Sequence, residues 1–238
     1  MSLQKKVSVL MSVYNSESQV IDSVKSIFQQ TYKNYDLHII DDSSTDNTYD
    51  VIKEYISDYP NVNLIKNKEN LGLTKSLNIL INESGGELIA RQDADDISSP
   101  FRLEKQINKL EHHNLDACTT RALTLDENKI IPNFSYYLPK KIVIKYKNPF
   151  IHGSLIIKRT VLVNLGGYNE NFYYSQDYKL FYDFINSNFK INILKEPLYF
   201  LNTKNNISSN FQHLQEYYAN CVKKNKIPKI DIRDQIIP

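Results

Sequence analysis

Four short apolar runs, each closed by a turn and followed by a stretch with helical patterning, fill the first hundred residues. That alternation restricts the fold more than any other feature of the chain. Val7-Ser-Val-Leu-Met-Ser-Val13 is nearly continuous in apolar, β-rich residues, the pattern of a strand buried on both faces of a parallel sheet. Residues 17 to 30 then set Val20, Ile21, Val24, Ile27 and Phe28 on one helical face, and Tyr35 to Ile40 reads as a second strand. The next helix carries Val51, Ile52, Tyr55 and Ile56 inward, with Ser44 or Thr45 and Asp46 as its caps. Asn61 to Lys66 gives a third strand; Asn70-Leu-Gly72 opens a helix with Leu77, Leu80 and Ile81 that stops at Gly85-Gly86. Glu87-Leu-Ile-Ala-Arg91 is the fourth. Strands alternating with helices of this length imply an α/β fold, an open and mostly parallel sheet flanked by helices, whose ligands sit beyond the carboxyl ends of the strands.

Past this unit, Pro100 marks the first turn of a helix with Leu103, Ile107 and Leu110 inward. Asp116 to Leu125 reads as a strand, residues 126 to 150 as a loop or mobile cover rich in Pro, Tyr and Lys, and His152 to Lys158 as another strand. A short helix ends at Gly166-Gly167, a further helix spans Tyr174 to Phe184 with Asp177 in its first turn, and residues 191 to 201 and 207 to 222 supply a last strand and helix. A single domain over residues 1–205 is expected, made of halves 1–115 and 116–205, with a C-terminal helix and tail over 206–238.

The fourth strand runs straight into Asp93, Asp95 and Asp96. Three acids within four residues repel one another and cannot be buried without partners, so they belong where a cation can neutralise them. Mg2+ or Mn2+ is held by one or two carboxylates together with substrate phosphates, which makes a metal–diphosphate site the chemical reading. The competing reading is an acidic turn in which Asp96 caps the next helix. Tyr14 and the Asp41/Asp42 pair fall at the same sheet edge, which favours one shared site.

At 238 residues, 41% hydrophobic and 24% charged, the chain has the composition of a soluble globular protein. No apolar run approaches the roughly 20 residues that cross a bilayer, and no signal-peptide core follows Met1, so a cytoplasmic protein is expected. Cys118 and Cys221 match no metal or redox spacing and are expected to be reduced. The net charge of +2 divides unevenly: residues 1 to 131 carry 14 Lys/Arg against 20 Asp/Glu, and residues 132 to 238 carry 15 against 7. The acidic half suits a metal, while the basic half suits a phosphate-bearing acceptor or peripheral contact with anionic lipid head groups. No zinc knuckle, aromatic RNA-binding motif or helix-turn-helix signature points to nucleic acid.

Taken together, Val7 to Asn15, Ile40-Asp-Asp-Ser-Ser-Thr-Asp46, Asn70-Leu-Gly72, Ala90-Arg-Gln-Asp-Ala-Asp-Asp-Ile97 with Pro100 and Arg102-Leu103, Asn148-Pro-Phe-Ile-His152, Gly166-Gly-Tyr168 and Gln176-Asp177-Tyr178 resemble the inverting family 2 glycosyltransferases of the GT-A fold. The resemblance covers about residues 7 to 200. It implies a nucleotide-sugar-binding half over 1–115 and an acceptor half over 116–205. The first strand end, Val13 and Tyr14, with Asp41 and Asp42 would hold the nucleoside, Asp42 being the better candidate for the base; a carboxylate accepts the uracil imide N–H and an aromatic face stacks on the ring. Asp93 would reach towards ribose, Asp95 towards Mn2+ or Mg2+, Lys75 towards the pyrophosphate, and His152 would lie near pyrophosphate or metal. Asp177 would be the general base. Gln176 departs from the family pattern, which has a Glu there, and leaves Asp177 as the carboxylate for that work.

The implied reaction is transfer of a sugar from a nucleotide diphosphate donor, a UDP-sugar above all, to the hydroxyl of a saccharide or lipid-linked saccharide with inversion, as in bacterial surface glycan synthesis. Three alternatives stand beside it: a nucleotidyltransferase, for which no Gly-rich basic loop follows Val13; a Mg2+-binding signalling module, against which the second acidic element and the extra hundred residues count; and a relative that binds nucleotide without transfer.

Overall fold

The structure, a computed structural model, describes residues 4–203 and 211–229. Strands β1 (Val7–Val13), β2 (Tyr35–Asp41), β3 (Val62–Lys66) and β4 (Leu88–Arg91) form where the apolar runs lie, connected by helices α1 (Val20–Phe28), α2 (Thr48–Tyr55) and α3 (Leu73–Glu83). Because each strand returns through a helix, the four are parallel, in the order β3-β2-β1-β4. There follow β5 (Ile97–Ser98), α4 (Arg102–His112), β6 (Ala117–Thr124), β7 (Ile130–Ile131), the one-turn α5 (Lys140–Val143), β8 (Ile156–Lys158), α6 (Arg159–Asn164), α7 (Gln176–Asn186), β9 (Ile191–Leu201) and α8 (Gln212–Lys223).

Successive side chains of β1 point to opposite faces, and each face has its own core. Val7, Val9, Met11 and Val13 pack with Leu37, Ile39, the α1 residues Val20, Val24 and Ile27, and Leu103 and Ile107 of α4. Leu10 joins Ile40 and Ile89 on the other face, against Leu77 and Leu80 of α3 and, farther along, Phe181, Phe184 and Tyr218. Each fully buried aliphatic side chain contributes about 1.5–3 kcal/mol. A one-residue slip of β1 would exchange Val7, Val9, Met11 and Val13 for Ser8, Leu10 and Ser12, so the register that aligns Val13 with Asp41 is firmly set.

Beyond β4 the sheet becomes mixed. β8 lies antiparallel to β4 and to β6, β9 is parallel to β6, and β5 and β7 pair antiparallel with β9 and β6. No helix among the described residues is long and apolar enough to cross a membrane.

Two local expectations are revised, and the competing reading of Asp96 falls. His152–Ser154 is a 3-10 turn rather than the start of a strand, because Ser154 Oγ donates to the carbonyl of Ile151 at 2.8 Å and Gln106 Nε2 takes the Ser154 carbonyl at 2.8 Å. The 126–150 segment carries β7, a 3-10 turn at Phe134–Tyr136 and α5, each too short to leave a period in the sequence. Asp96 does not cap a helix: β5 intervenes, α4 begins at Arg102, and Asp96 Oδ1 accepts the N–H of Asn202 at 2.8 Å. At α2, Asp46 takes the part expected of it, accepting the Thr48 N–H at 3.0 Å, while Ser44 Oγ and Thr45 Oγ1 bond Asn15 instead. Of the helix expected over 207 to 222, residues 207 to 210 lie outside the described residues.

Candidate active site

The loops leaving β1 and β2 are stitched together at the carboxyl edge of the sheet. The N–H of Asp42 donates to the carbonyl of Val13 at 2.8 Å, that of Asn15 to Ser44 Oγ at 2.9 Å, and that of Thr45 to Asn15 Oδ1 at 2.8 Å. Asp42 is buried, and its carboxylate accepts four hydrogen bonds: from the N–H groups of Leu71 (2.9 Å) and Gly72 (2.8 Å), Asn67 Nδ2 (2.7 Å) and Ser76 Oγ (3.0 Å). It therefore braces the turn into α3. Gly72 occupies that turn at φ +82°, where a Cβ would lie 2.6 Å from the Tyr173 ring, so both the dihedral and the close approach call for glycine. Burial raises the Tyr173 hydroxyl pKa, and the charge of Asp42 and then Tyr14 add to it, which puts the three in one neighbourhood. Tyr14 is 47% exposed, an open aromatic face at the strand end. Asp41 is fully buried; its Oδ2 accepts the Ser44 N–H at 3.2 Å and lies 3.5 Å from Lys66 Nζ, while its Oδ1 has no hydrogen-bond partner among the described residues. Lys75, in the first turn of α3, makes no hydrogen bond or ion pair among the described residues.

Two buried arginines allow the acid loop after β4 to fold. Arg91 donates from Nη1 to the carbonyl of Leu10 at 2.6 Å and pairs through Nη2 with Asp93 Oδ1. Arg102 donates to the carbonyl of Gly153 at 3.3 Å and stacks over Tyr199, 5.5 Å from the ring centroid; burial lowers its pKa to about 10. Gln92 is the internal hub. Its Nε2 reaches the carbonyl of Asp96 (2.8 Å) and Ser23 Oγ (3.0 Å), its Oε1 accepts Ser98 Oγ (2.6 Å), and Ser23 Oγ donates to the carbonyl of Asp93 (2.7 Å). From β9, the Tyr199 hydroxyl accepts the N–H of Asp93 at 3.1 Å.

The acids remain under mutual pressure. Burial and then the charge of Asp93 push the Asp95 carboxyl up to about 6; Asp96 is driven higher still by burial, Asp93 and Asp95. A divalent cation is what would relieve this. Burial lowers His152 to about 4, helped by Arg91 and opposed by Asp93 and Asp177, so its imidazole is neutral at pH 7; its Nε2 lies 2.7 Å from the Tyr168 hydroxyl. Among the described residues no three His, Cys, Asp or Glu side chains converge as a metal cage. The set does suit Mg2+ or Mn2+, which take few protein carboxylates and complete their shells from phosphate oxygens and water.

Asp177 stands in the first turn of α7, entered through Ser175 at φ +54°, whose Oγ donates to the carbonyl of Gln215 at 3.1 Å. Its Oδ2 accepts Asn148 Nδ2 at 2.8 Å, and Asn148 Oδ1 in turn accepts the N–H of Phe150 at 3.0 Å. The charges of Asp93 and Asp177 both act to raise the His152 and Tyr168 pKa values, and the His152 and Tyr168 side chains meet at 2.7 Å. Sequence reasoning did not identify Gln92, Ser23, Arg102, Tyr199 or Tyr173 in these supporting roles. Gln92, Arg102 and Asn148 were visible only as parts of motifs; Ser23, Tyr173 and Tyr199 carry no local mark, since Ser23 and Tyr199 meet Asp93 70 and 106 residues away and Tyr173 packs against Gly72.

A family model described as Glycosyl transferase family 2 matches residues 8–166. EpsE of Bacillus subtilis (strain 168) is 36% identical over 203 residues, covering 82% of this chain and 72% of that protein. The Escherichia coli UDP-Glc:alpha-D-GlcNAc-diphosphoundecaprenol beta-1,3-glucosyltransferase WfgD is 28% identical over 184 residues, 76% of this chain and 70% of its own. Among solved structures, the mannosyltransferase PcManGT from Pyrobaculum calidifontis, in complex with GDP-Man and Mn2+, superposes with a TM-score of 0.74 at 17% identity, covering 95% of this chain and 67% of that one. At that identity the likeness speaks for the fold alone.

Proposed function

This chain belongs to glycosyl transferase family 2 and has the GT-A fold, and from that premise we propose that it transfers a sugar, with inversion, from a UDP-sugar to the hydroxyl of a saccharide or lipid-linked saccharide acceptor in surface glycan synthesis. What supports the proposal is that the Asp41/Asp42 turn and the acid loop leave the two strands flanking β1 at one sheet edge, while Asp177, held by Asn148, and Asp93 both act on His152. Residues 1–115 serve the donor and residues 116–205 the acceptor. Val13, Tyr14, Asp41 and Asp42 hold the nucleoside, Tyr14 stacking on the base. Asp42, already holding four donors, contributes chiefly by fixing the turn against which the base rests, leaving at most one acceptor direction for the base imide. Asp93 takes the ribose and Lys75 the pyrophosphate. The UDP-Glc donor and diphosphoundecaprenol-linked acceptor named for WfgD support the UDP-sugar and the lipid-linked acceptor.

Asp95, with His152 nearby, would hold Mn2+ or Mg2+, which when bound supplies neutralisation of the leaving diphosphate; Mn2+ in PcManGT supports this. The chain's own residues do the rest. Asp177 accepts the proton of the acceptor hydroxyl as it attacks the anomeric carbon, a contribution of roughly 10²- to 10⁴-fold. The Asn148 amide occupies one carboxylate oxygen and turns the other towards the acceptor. Displacement in one step requires base and leaving group on opposite faces of the sugar, which is the arrangement proposed for Asp177 and Asp95. The reaction would take place at the cytoplasmic face of the membrane.

Incubating the protein with Mn2+ and a panel of UDP-sugars, with GDP-mannose as the competing donor class, tests this reading. Release of UDP stimulated by a saccharide or lipid-linked acceptor, with the opposite anomer in the product, is expected. Selective turnover of GDP-mannose would overturn the UDP assignment, and retention of configuration would overturn the role of Asp177.

A further inference from the structure

Residues 128–153 contain five lysines and no acid, and their fold sorts them into two sides. Val143, Ile144 and Phe150 turn inward; the Tyr178 hydroxyl donates to the Ile144 carbonyl at 2.7 Å, and β7 and a hydrogen bond from Arg121 Nε to the Pro132 carbonyl (3.1 Å) fasten the other end. The opposite side presents Phe134 (73% exposed), Tyr137 (68%), Tyr146 (70%) and Ile142 (56%) to solvent. Large aromatic side chains exposed together in a folded protein mark an interaction surface. The lysines tell which partner. Lys140 is spent internally, its Nζ capping the carbonyls of Ser135, Tyr136 and Leu138, and Lys141 donates to Asn188, which leaves its charge uncompensated. Lys145 and Lys147 stand exposed beside Tyr146 and make no ion pair among the described residues.

Aromatic rings flanked by unpaired lysines, with no carboxylate in the segment, match the interface of an anionic bilayer, where rings settle at the head-group level and each cation gains from the negative surface potential. We propose that this face, Phe134, Tyr137, Ile142 and Tyr146 with Lys141, Lys145 and Lys147, docks the protein on an anionic lipid membrane. A groove of about 800 Å3 adjoins it, with Phe134, Leu138, Ile142, Tyr146 and Asn148 among its lining, and the Asn148 amide holds Asp177. Docking stands on the patch alone. Its consequence, that an acceptor carried by a membrane lipid enters along the groove and arrives at the base, rests on the role given to Asp177 above.

Flotation of the full chain with vesicles, in the absence of donor and acceptor, separates this proposal from the reaction. Binding is expected to vesicles with about a third phosphatidylglycerol and to be weaker by tenfold or more with phosphatidylcholine alone. Phe134→Ser/Tyr137→Ser/Tyr146→Ser should lose roughly tenfold or more, as should Lys145→Glu/Lys147→Glu, with the thermal midpoint of both close to the parent because all five side chains are exposed. Sedimentation of the parent and the aromatic variant supplies the competing outcome: a dimer that becomes a monomer on losing the rings would assign the face to a second copy and overturn the proposal. So would binding unchanged in both variants, or no preference for the anionic vesicles.

Discussion

Replacing Gly153 by alanine tests whether the acid loop is held by close packing. The added Cβ would lie 2.5 Å from Asp93 Oδ2 and 2.6 Å from Tyr199 Cζ, with the Tyr199 hydroxyl closer still. The Tyr199 ring is fully buried and stacked on the Arg102 guanidinium, so it has little room to retreat. The loop must move instead, weakening the hydrogen bond from the Asp93 N–H to the Tyr199 hydroxyl. Overpacking costs about 1–3 kcal/mol and the hydrogen bond about 0.5–1.5, for a destabilisation of roughly 2–4 kcal/mol. In a chain of this length that corresponds to a fall of about 5–15 °C in thermal midpoint, measurable by differential scanning fluorimetry and, as a free energy, by urea titration. Tyr199→Phe removes the most crowded atom but not Cζ or Asp93, so the double variant should be less destabilised than the sum of the singles. A shift of Gly153→Ala below about 2 °C, or strict additivity in the pair, would refute the argument that this glycine exists for the contact.

Asp177→Asn keeps the shape of the α7 start but not its basicity, so turnover should fall roughly 10²- to 10⁴-fold with UDP affinity within about threefold by calorimetry; normal turnover would make Asp177 a helix cap. Asp95→Asn should weaken Mn2+-dependent UDP binding by about tenfold, near 1.4 kcal/mol, while leaving metal-free binding alone. For Asp116, burial works to raise the carboxyl, but hydrogen bonds from the Lys190 N–H (2.9 Å) and Lys158 Nζ (3.0 Å) hold it below its ordinary range. Since the folded pKa is depressed, its stabilisation is complete above the unfolded value of about 4 and lost as pH falls below it. Urea midpoints should therefore drop on acidification through that window, and Asp116→Asn should flatten the acid limb.

The first hundred residues could be read in order because their information is local. An apolar run of seven residues has one stable place, between two helical layers, and a helix between strands enforces a parallel return; β1 to β4, α1 to α3 and the edge holding Val13, Asp42 and Asp93 follow from those two facts. The motifs extended this to Asp177 and the family. What the sequence left open was decided by contacts between distant residues. β5 is two residues long and exists because Ile97 and Ser98 pair with Phe200 and Tyr199. Asp96, which reads as a cap, is buried because the Asn202 N–H meets it 106 residues on. The mixed direction of the sheet beyond β4 likewise depends on which edge each strand finds once β1 to β4 are assembled. Arg91 and Arg102 carry no mark of burial in the sequence; the fold buries both, Arg91 against Asp93 and Arg102 over the Tyr199 ring.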